Sequence, residues 1–190
     1  MLGEARGPWR RLATRMTYEN PWIRVREDRV LRPDTQPGIY GVVEVKSIAT
    51  GVVPLDADRN TYLVGQYRYP LGEYSWEIPE GGGAPGVDPR LAAERELREE
   101  TGLVAGSWDF LSRVHLSNSI TDEVGYVYVA RDLQAGPSTP EGTEELEIRR
   151  LPFEEALAMA LAGRITDSLS VIGLLLTERW LLGERFSIPK

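Results

Sequence analysis

The sequence predicts an α+β fold, specifically an α/β/α sandwich in which helices flank a mixed β-sheet, with a small antiparallel sheet added at the N-terminus. The chain has 190 residues, enough for one full core of about 150 residues and a short extra subdomain. It is 42% hydrophobic and 27% charged, as in ordinary globular proteins. Strand-like segments interleave with only a few helical ones, which favours helices packed on the faces of a mixed sheet.

The first 47 residues are expected to form the N-terminal subdomain, which also serves dimerisation. Residues 1–16 have no usable periodicity and are predicted to be a loose lead-in. Residues 22–31 alternate apolar and charged side chains, which is the period of a half-exposed strand. After a turn at 32–38, a second strand follows at 39–48. Because a two-stranded sheet is only marginally stable alone, it must pack on the main domain or on another subunit.

The main domain is expected to span residues 48–190. A glycine-rich loop is predicted at 81–86, and a second loop, rich in Pro, Gly, Ser, Thr and Glu, at 134–145. Periodicity and turn residues predict strands at about 51–55, 61–68, 74–78, 107–116, 124–131 and 146–151, and helices at about 89–101, 153–162 and 167–181.

Composition excludes several classes of function. The net charge of −7 does not favour binding to nucleic acid or to an anionic membrane. The chain has no cysteine, so disulfides, thiolate catalysis and cysteine zinc sites are excluded. With His115 as the only histidine, a multi-histidine metal site cannot form. Metals bound through oxygen, such as magnesium or manganese, remain.

Hydropathy gives no membrane segment. The N-terminus lacks the apolar region of a signal peptide. The longest apolar stretch near the C-terminus, 171–176, is far too short to span a bilayer. We therefore expect a cytoplasmic protein.

The best-defined helix is predicted between Pro89 and Thr101. Asp88 is a good N-cap, Pro89 suits the first helical position, and Gly102 can end the helix in the left-handed conformation. A glycine-rich segment precedes this helix, so the backbone there can approach a metal or a phosphate closely.

Three glutamates share one face of this helix. At 100° per residue, Glu96, Glu99 and Glu100 lie within an arc of about 100°. Like charges at this spacing destabilise a helix, and their position near its C-terminal end is also unfavourable. A hard divalent cation would offset this cost. A solvated acidic face is the alternative, but the preceding glycines favour a metal site.

The segment from Gly81 to Leu103 resembles the Nudix box, G-x5-E-x7-R-E-U-x-E-E-x-G-U with U aliphatic. One defined position departs, where Val87 replaces glutamate, with Asp88 beside it. The resemblance extends in weaker form over roughly residues 18–182, in the manner of the ADP-ribose pyrophosphatase branch. The matching positions are Gly81, Arg95, Glu96, Leu97, Glu99, Glu100, Gly102 and Leu103.

This resemblance implies a magnesium site, with manganese as a possible substitute. In the family the box folds as loop, helix and loop, and its glutamates bind the metal. Arg95 would orient the glutamates, and Glu99 would act in catalysis as well as in metal binding. The sequence leaves open whether Val87 reduces activity. The implied metal ligands are the side chains of Glu96, Glu99 and Glu100 and the backbone carbonyls of Glu80 and Gly81.

The resemblance also implies residues on the substrate side. Arg68 matches an arginine that holds the nucleotide diphosphate, and a guanidinium suits phosphate because its donors form a planar fork. Glu77 either assists at the site or has a structural role at the edge of the core. Trp22 lies where the branch places an aromatic residue that stacks on the base, although an anchor for the small sheet is an equal alternative.

Two loops complete the implied site. At 117–124, Asn118 and Ser119 replace the Pro-Gly turn of the branch, whereas Glu123 fits the residue expected near the second sugar. This departure weakens the case for ADP-ribose in particular. In the loop at 141–148, either Glu144 or Glu145 would be the general base or an extra metal ligand, and a solvated acidic loop is the alternative.

The function implied by the resemblance is Mg²⁺-dependent hydrolysis of the diphosphate bond of a nucleoside diphosphate sugar, with ADP-ribose giving AMP and ribose 5-phosphate. The same chemistry on GDP-mannose, another nucleotide sugar or a dinucleotide is one alternative. A non-catalytic nucleotide-sugar sensor is another, favoured by Val87 and opposed by the three glutamates. Members of this branch form homodimers through such an N-terminal sheet, so a homodimer is expected.

Overall fold

The computed structural model describes residues 3–136 and 146–187. Contacts divide the chain into two units. The first comprises Met1–Ser47 and His115–Glu123, and the second comprises Ile48–Val114 and Val124–Lys190.

The first unit is built on a four-stranded antiparallel sheet. Its strands lie in chain order: β1 (Glu4–Arg6), β2 (Trp9–Glu19), β3 (Ile23–Leu31) and β4 (Pro37–Val45). The predicted hairpin of two strands is present as β3 and β4, and two further strands precede it.

The prediction of a loose lead-in at residues 1–16 is wrong. Strand β2 pairs with β3 along its length, from Arg10 opposite Leu31 to Glu19 opposite Arg24. Most side chains of β2 are exposed, so the strand needs no apolar alternation, and its hydrogen bonds come from a neighbour later in the chain. A periodicity search cannot find a strand of this kind.

The second unit contains two sheets. The larger sheet has the order β8-β5-β10-β9, with β5 antiparallel to β8 and parallel to β10, and the smaller sheet has the order β11-β6-β7 with antiparallel pairs. The strands are β5 (Ile48–Pro54), β6 (Asn60–Arg68), β7 (Glu73–Glu77), β8 (Glu80–Gly83), β9 (Leu103–His115), β10 (Val124–Ala135) and β11 (Glu147–Pro152). The helices are α1 (Pro89–Thr101), α2 (Phe153–Leu161) and α3 (Ser168–Leu181).

Helices α1 and α3 cover opposite faces of the larger sheet. Consecutive residues of a strand point to opposite faces. Val52 of β5 packs in one hydrophobic cluster with Ala93 and Leu97 of α1, whereas a Cβ at Gly51 would touch Leu169 of α3. The predicted α/β/α arrangement around a mixed sheet is therefore confirmed.

The glycine-rich segment differs from its prediction as a loop at 81–86. Residues Glu80–Gly83 form strand β8, which pairs with β5 from Ile48 opposite Gly83 to Gly51 opposite Glu80. Glycines are weak strand formers, so this strand depends on its partner.

None of the helices in the described part of the chain is both long and apolar enough to cross a membrane.

Candidate active site

Helix α1 begins and ends where the sequence predicts. The carboxylate of Asp88 accepts a hydrogen bond from the backbone N–H of Arg90 at 3.0 Å, and Pro89 is the first helical residue. Gly102 ends the helix with φ of 70°, in the left-handed region. Since local interactions define both ends, the glutamates in the second half of α1 have defined positions over β5 and β8, against which the helix packs.

Gly81 of β8 allows the carboxylate of Glu96 to lie directly on the strand. A Cβ at position 81 would be 2.2 Å from the carboxyl carbon of Glu96, well inside van der Waals contact. Only glycine permits this approach. The side chain of Glu96 is only 12% exposed, so the strand and the helix together enclose one of the predicted metal ligands.

Arg95 links two of the predicted ligands to the strand. Its guanidinium lies 2.6 Å from a carboxylate oxygen of Glu96 and 2.7 Å from one of Glu99, and it donates to the carbonyl of Gly82 at 2.5 Å. Partial burial alone would lower the pKa of Arg95, but the two carboxylates outweigh this effect and raise it. Arg95 therefore stays charged and orients Glu96 and Glu99.

Glu100 is a buried carboxylate at the same helix face. It is 7% exposed and accepts a hydrogen bond from the backbone N–H of Glu80 at 2.9 Å. This bond ties the end of α1 to the start of β8, so Glu100 is held beside the Glu80–Gly81 backbone that the sequence predicts as a further source of metal ligands.

A second charged group lies on β6 and β7. The Nε of Arg68 is 2.9 Å and 3.0 Å from the two carboxylate oxygens of Glu77, and a terminal nitrogen makes a further short ion pair with Glu77. The same nitrogen lies 3.5 Å from a carboxylate oxygen of Glu80. The Glu77 side chain is only 3% exposed, whereas that of Arg68 is 36% exposed. Glu77 therefore holds Arg68 through a buried carboxylate, and part of the Arg68 side chain stays exposed.

The pKa values of Glu77 and Glu80 are shifted in opposite directions. Burial raises the pKa of Glu80 well above its ordinary value, and the nearby charges of Asp167 and Glu77 raise it further. Burial also acts on Glu77, but the hydrogen bonds from Arg68 and Glu80 outweigh it and lower the pKa of Glu77. The hydrogen bond to Glu77 raises the pKa of Arg68. The two shifts have opposite directions, although Glu77 and Glu80 share the same guanidinium neighbour.

The structure adds residues that sequence reasoning missed. Asp167 caps α3 by accepting from the backbone N–H of Ser170 at 2.8 Å, and it lines a cavity of about 330 Å³ together with Arg68 and Glu77. The hydroxyl of Ser170, which is fully buried, accepts from the backbone N–H of Ile78 at 2.9 Å. The pattern Asp-Ser-Leu-Ser signals a helix start, but nothing local places it beside Arg68.

Val87, which replaces the first glutamate of the box, is 49% exposed. The neighbouring Asp88 serves as the helix cap through its contact with Arg90. Asp88 therefore has a structural role of its own in this chain.

The donor set of the α1 site has the chemistry of a site for a hard cation. Its groups are carboxylate and backbone carbonyl oxygens, including the carbonyl of Gly81, which accepts from the hydroxyl of Thr50 at 3.3 Å. Such oxygens suit magnesium and manganese. Within residues 3–136 and 146–187, however, no three Asp, Glu or His side chains converge as in a formed metal site. The ion pairs of Arg95 hold Glu96 and Glu99 in the arrangement seen.

The remaining predicted residues fall into two groups. Trp22 and Glu123 belong to the first unit; the side chain of Trp22 is exposed, and its backbone N–H donates to the side chain of Asn20 at 2.9 Å. Glu144 and Glu145, the predicted bases, lie outside the described residues. The second unit brings together Arg68, Glu77, Glu80, Gly81, Arg95, Glu96, Glu99 and Glu100.

Two family models match the chain. The NUDIX domain model matches residues 45–169, and the model of the nucleoside diphosphate sugar hydrolase N-terminal domain matches residues 9–43. The chain belongs to the Nudix family and is a Nudix hydrolase. Enzymes of this family generally use divalent metals.

Two related proteins and one solved structure show how similar this chain is to known proteins. The chain is 34% identical over 130 residues to the ADP-ribose pyrophosphatase of Mycobacterium tuberculosis. The matched segment covers 67% of this chain and 63% of that protein. The chain is 30% identical over 163 residues to the methanol dehydrogenase activator of Bacillus methanolicus, covering 85% and 88%. A crystal structure of an ADP compounds hydrolase superposes with a TM-score of 0.84 at 21% identity, covering 95% of this chain and 98% of that one. This last likeness shows the fold.

Proposed function

We propose that this Nudix hydrolase cleaves the diphosphate bond of a nucleoside diphosphate sugar, with ADP-ribose as the substrate and Mg²⁺, replaceable by Mn²⁺, as the cofactor. The observation that carries the proposal is the arrangement of the three glutamates of α1: Glu96 lies on Gly81, Glu100 accepts from the backbone N–H of Glu80, and Arg95 pairs with Glu96 and Glu99. The name of the Mycobacterium tuberculosis relative supports the choice of substrate.

The residues of α1 bind and orient. Glu96, Glu99 and Glu100 supply carboxylate oxygens, and the backbone carbonyls of Glu80 and Gly81 supply further ones. Arg95 keeps Glu96 and Glu99 aligned through ion pairs of 2.6 and 2.7 Å. A divalent cation held by these residues would neutralise charge on the diphosphate and would favour the ionisation of a water molecule.

The reaction itself is a hydrolysis without a covalent intermediate. The oxygen of water adds to one phosphorus of the diphosphate, and the bond from that phosphorus to the bridging oxygen breaks. The bridging oxygen keeps the electron pair and leaves with the other phosphate, and the proton of the water passes to a base. Arg68 contacts the diphosphate through its guanidinium, and Glu77 holds Arg68 in place. The base is Glu144 or Glu145.

The recognition of the two ends of the substrate is assigned to the first unit. Trp22, whose ring is exposed, stacks on the base, and Glu123 contacts the second sugar. A homodimer through the N-terminal sheet is part of the same proposal, and analytical ultracentrifugation at micromolar concentration tests it, since a monomer would contradict it. The cytoplasmic location remains a prediction.

An activity panel tests the proposal. The protein is incubated with ADP-ribose, GDP-mannose, another nucleotide sugar and a dinucleotide, each with Mg²⁺ and with a chelator, and the products are separated by chromatography. We expect AMP and ribose 5-phosphate from ADP-ribose with Mg²⁺ and no products with the chelator. Faster cleavage of GDP-mannose or of a dinucleotide would change the substrate. Tight binding of ADP-ribose without cleavage would favour a sensor and overturn the proposed activity.

A further inference from the structure

Strand β4 lies at the edge of the N-terminal sheet, but its outer side is occupied. An edge strand presents backbone groups that need partners. The segment 117–123 supplies them: Val43 donates to the carbonyl of Ile120 at 2.9 Å, and the N–H of Asp122 donates to the carbonyl of Val43 at 3.3 Å. Val43 and Thr121 form a parallel bridge. The segment therefore extends the sheet by a short fifth element.

Two side chains complete this attachment. The backbone N–H of Val45 donates to the carboxylate of Asp122 at 2.8 Å, and the hydroxyl of Tyr40 donates to the carbonyl of Ser119 at 2.8 Å. Asp122 thus contacts β4 through its backbone and its side chain, and it lies next to Glu123 in the chain.

The base of the segment is closed by its own hydrogen bonds. Ser117 adopts a positive φ of 46°, and its carbonyl accepts from the N–H groups of Ile120 and Thr121. The N–H of Leu116 donates to the carbonyl of Glu123 at 3.1 Å. The segment is a closed turn that is also hydrogen-bonded to β4, so that strand helps to fix its position.

The end of β4 also holds Trp22. The N–H of Lys46, the residue after β4, donates to the carbonyl of Trp22 at 2.9 Å, whereas the preceding N–H, that of Val45, is bound by Asp122. Two consecutive backbone groups therefore bind the residue proposed to stack on the base and the turn that carries Glu123.

We infer that Asp122 is a positioning residue: its carboxylate fixes the turn carrying Glu123 to the same end of β4 that holds Trp22, so that the base and sugar contacts keep a constant spacing. The inference rests on the proposed function, which gives Trp22 and Glu123 their contacts with the substrate. Asp122 itself touches no reacting atom, so its effect is on substrate binding and not on the chemical step.

The first test is a comparison of two substitutions with Mg²⁺ and ADP-ribose. Asp122→Ala should raise KM about tenfold and leave kcat within about twofold, because a hydrogen bond to a charged acceptor is lost outside the reacting centre. Asp122→Asn should return KM to within about twofold of the wild type, since its amide oxygen still accepts from Val45. The control is Asp34→Ala, which removes an acceptor of the Gln36 N–H, at 3.1 Å, at the other end of β4.

Hydrogen–deuterium exchange of the peptide covering 117–123 gives a second readout that needs no activity. Exchange should be faster in Asp122→Ala than in the wild type and unchanged in Asp34→Ala. Equal exchange in all variants overturns the inference, as does a KM that does not change in Asp122→Ala or that asparagine fails to restore. A wild-type protein that cleaves no substrate while the exchange result holds would refute the proposed function and leave the attachment of Asp122 to β4 established.

Discussion

Two groups of charged residues flank the Glu80–Gly81 backbone, and they differ in the balance between acidic and basic side chains. The helix cluster consists of Arg95, Glu96, Glu99 and Glu100, and it sets three carboxylates against one guanidinium. The strand cluster consists of Arg68, Glu77 and Glu80, and there burial and neighbouring acids raise the pKa of Glu80 well above its ordinary value. The helix cluster has more acidic than basic side chains, which suits a divalent cation. In the strand cluster the raised pKa of Glu80 favours its neutral form, and this leaves less negative charge beside the Arg68 guanidinium.

The largest effect is expected when one charge is removed from the helix cluster. Glu100→Gln should lower kcat about 1000-fold, because a carboxylate ligand to the metal is worth several kcal/mol in the transition state. The fold should survive, since the glutamine oxygen can still accept from Glu80. Glu94→Gln is the matched control, because Glu94 lies on the same helix and pairs with Arg90. An E100Q protein with wild-type turnover and an unchanged circular dichroism spectrum would refute the metal role.

A second substitution alters geometry and leaves all charges in place. Gly81→Ala should lower kcat/KM about 100-fold, because the new Cβ displaces the Glu96 carboxylate by roughly an ångström or more, and errors of this size are costly in an active site. Gly41→Ala is the control, since a Cβ at position 41 meets no atom within 4 Å. Steady-state kinetics on both variants measure the loss in kcat/KM. Equal losses in the two would mean that glycine at 81 has no special role.

In the strand cluster, the test concerns stability as well as binding. Arg68→Met leaves Glu77 buried without its cation, and we expect a loss of about 2 kcal/mol in the free energy of unfolding, below the value for a fully buried pair because Arg68 is partly exposed. The double variant Arg68→Met, Glu77→Met should recover most of this stability in urea titrations while KM stays high. If the double variant is as unstable as the single one, the loss of stability does not come from leaving Glu77 without its Arg68 partner.

The smallest expected effect is the response of stability to Mg²⁺. Binding to the folded state should raise the free energy of unfolding of the wild type by about 1–2 kcal/mol at Mg²⁺ concentrations well above the dissociation constant. Thermal melts with Mg²⁺ and with a chelator measure this shift. The variant Glu96→Gln, Glu99→Gln should show none, whereas Arg68→Met should keep it. A shift of the same size in all three proteins would place the metal elsewhere.

Prediction from sequence worked best where the deciding interactions are local. The bounds of α1 follow from Asp88, Pro89 and Gly102, and the Arg95–Glu99 ion pair spans one helical turn. It failed at β2, whose exposed side chains carry no periodic signal and whose hydrogen bonds come from β3.

The sequence alone therefore predicted the kind of site: the spacing of three glutamates on one helix indicates a metal site, and the absence of cysteine and the single histidine favour oxygen ligands for it. Tertiary structure decided which groups meet. The contact of Glu100 with the Glu80 backbone spans twenty residues, that of Ser170 with Ile78 spans ninety-two, and that of Asp122 with Val45 spans seventy-seven. The physical reason is that helix caps and side-chain spacing depend on neighbours within one turn, whereas these hydrogen bonds form only when the packing of sheets and helices brings distant segments together.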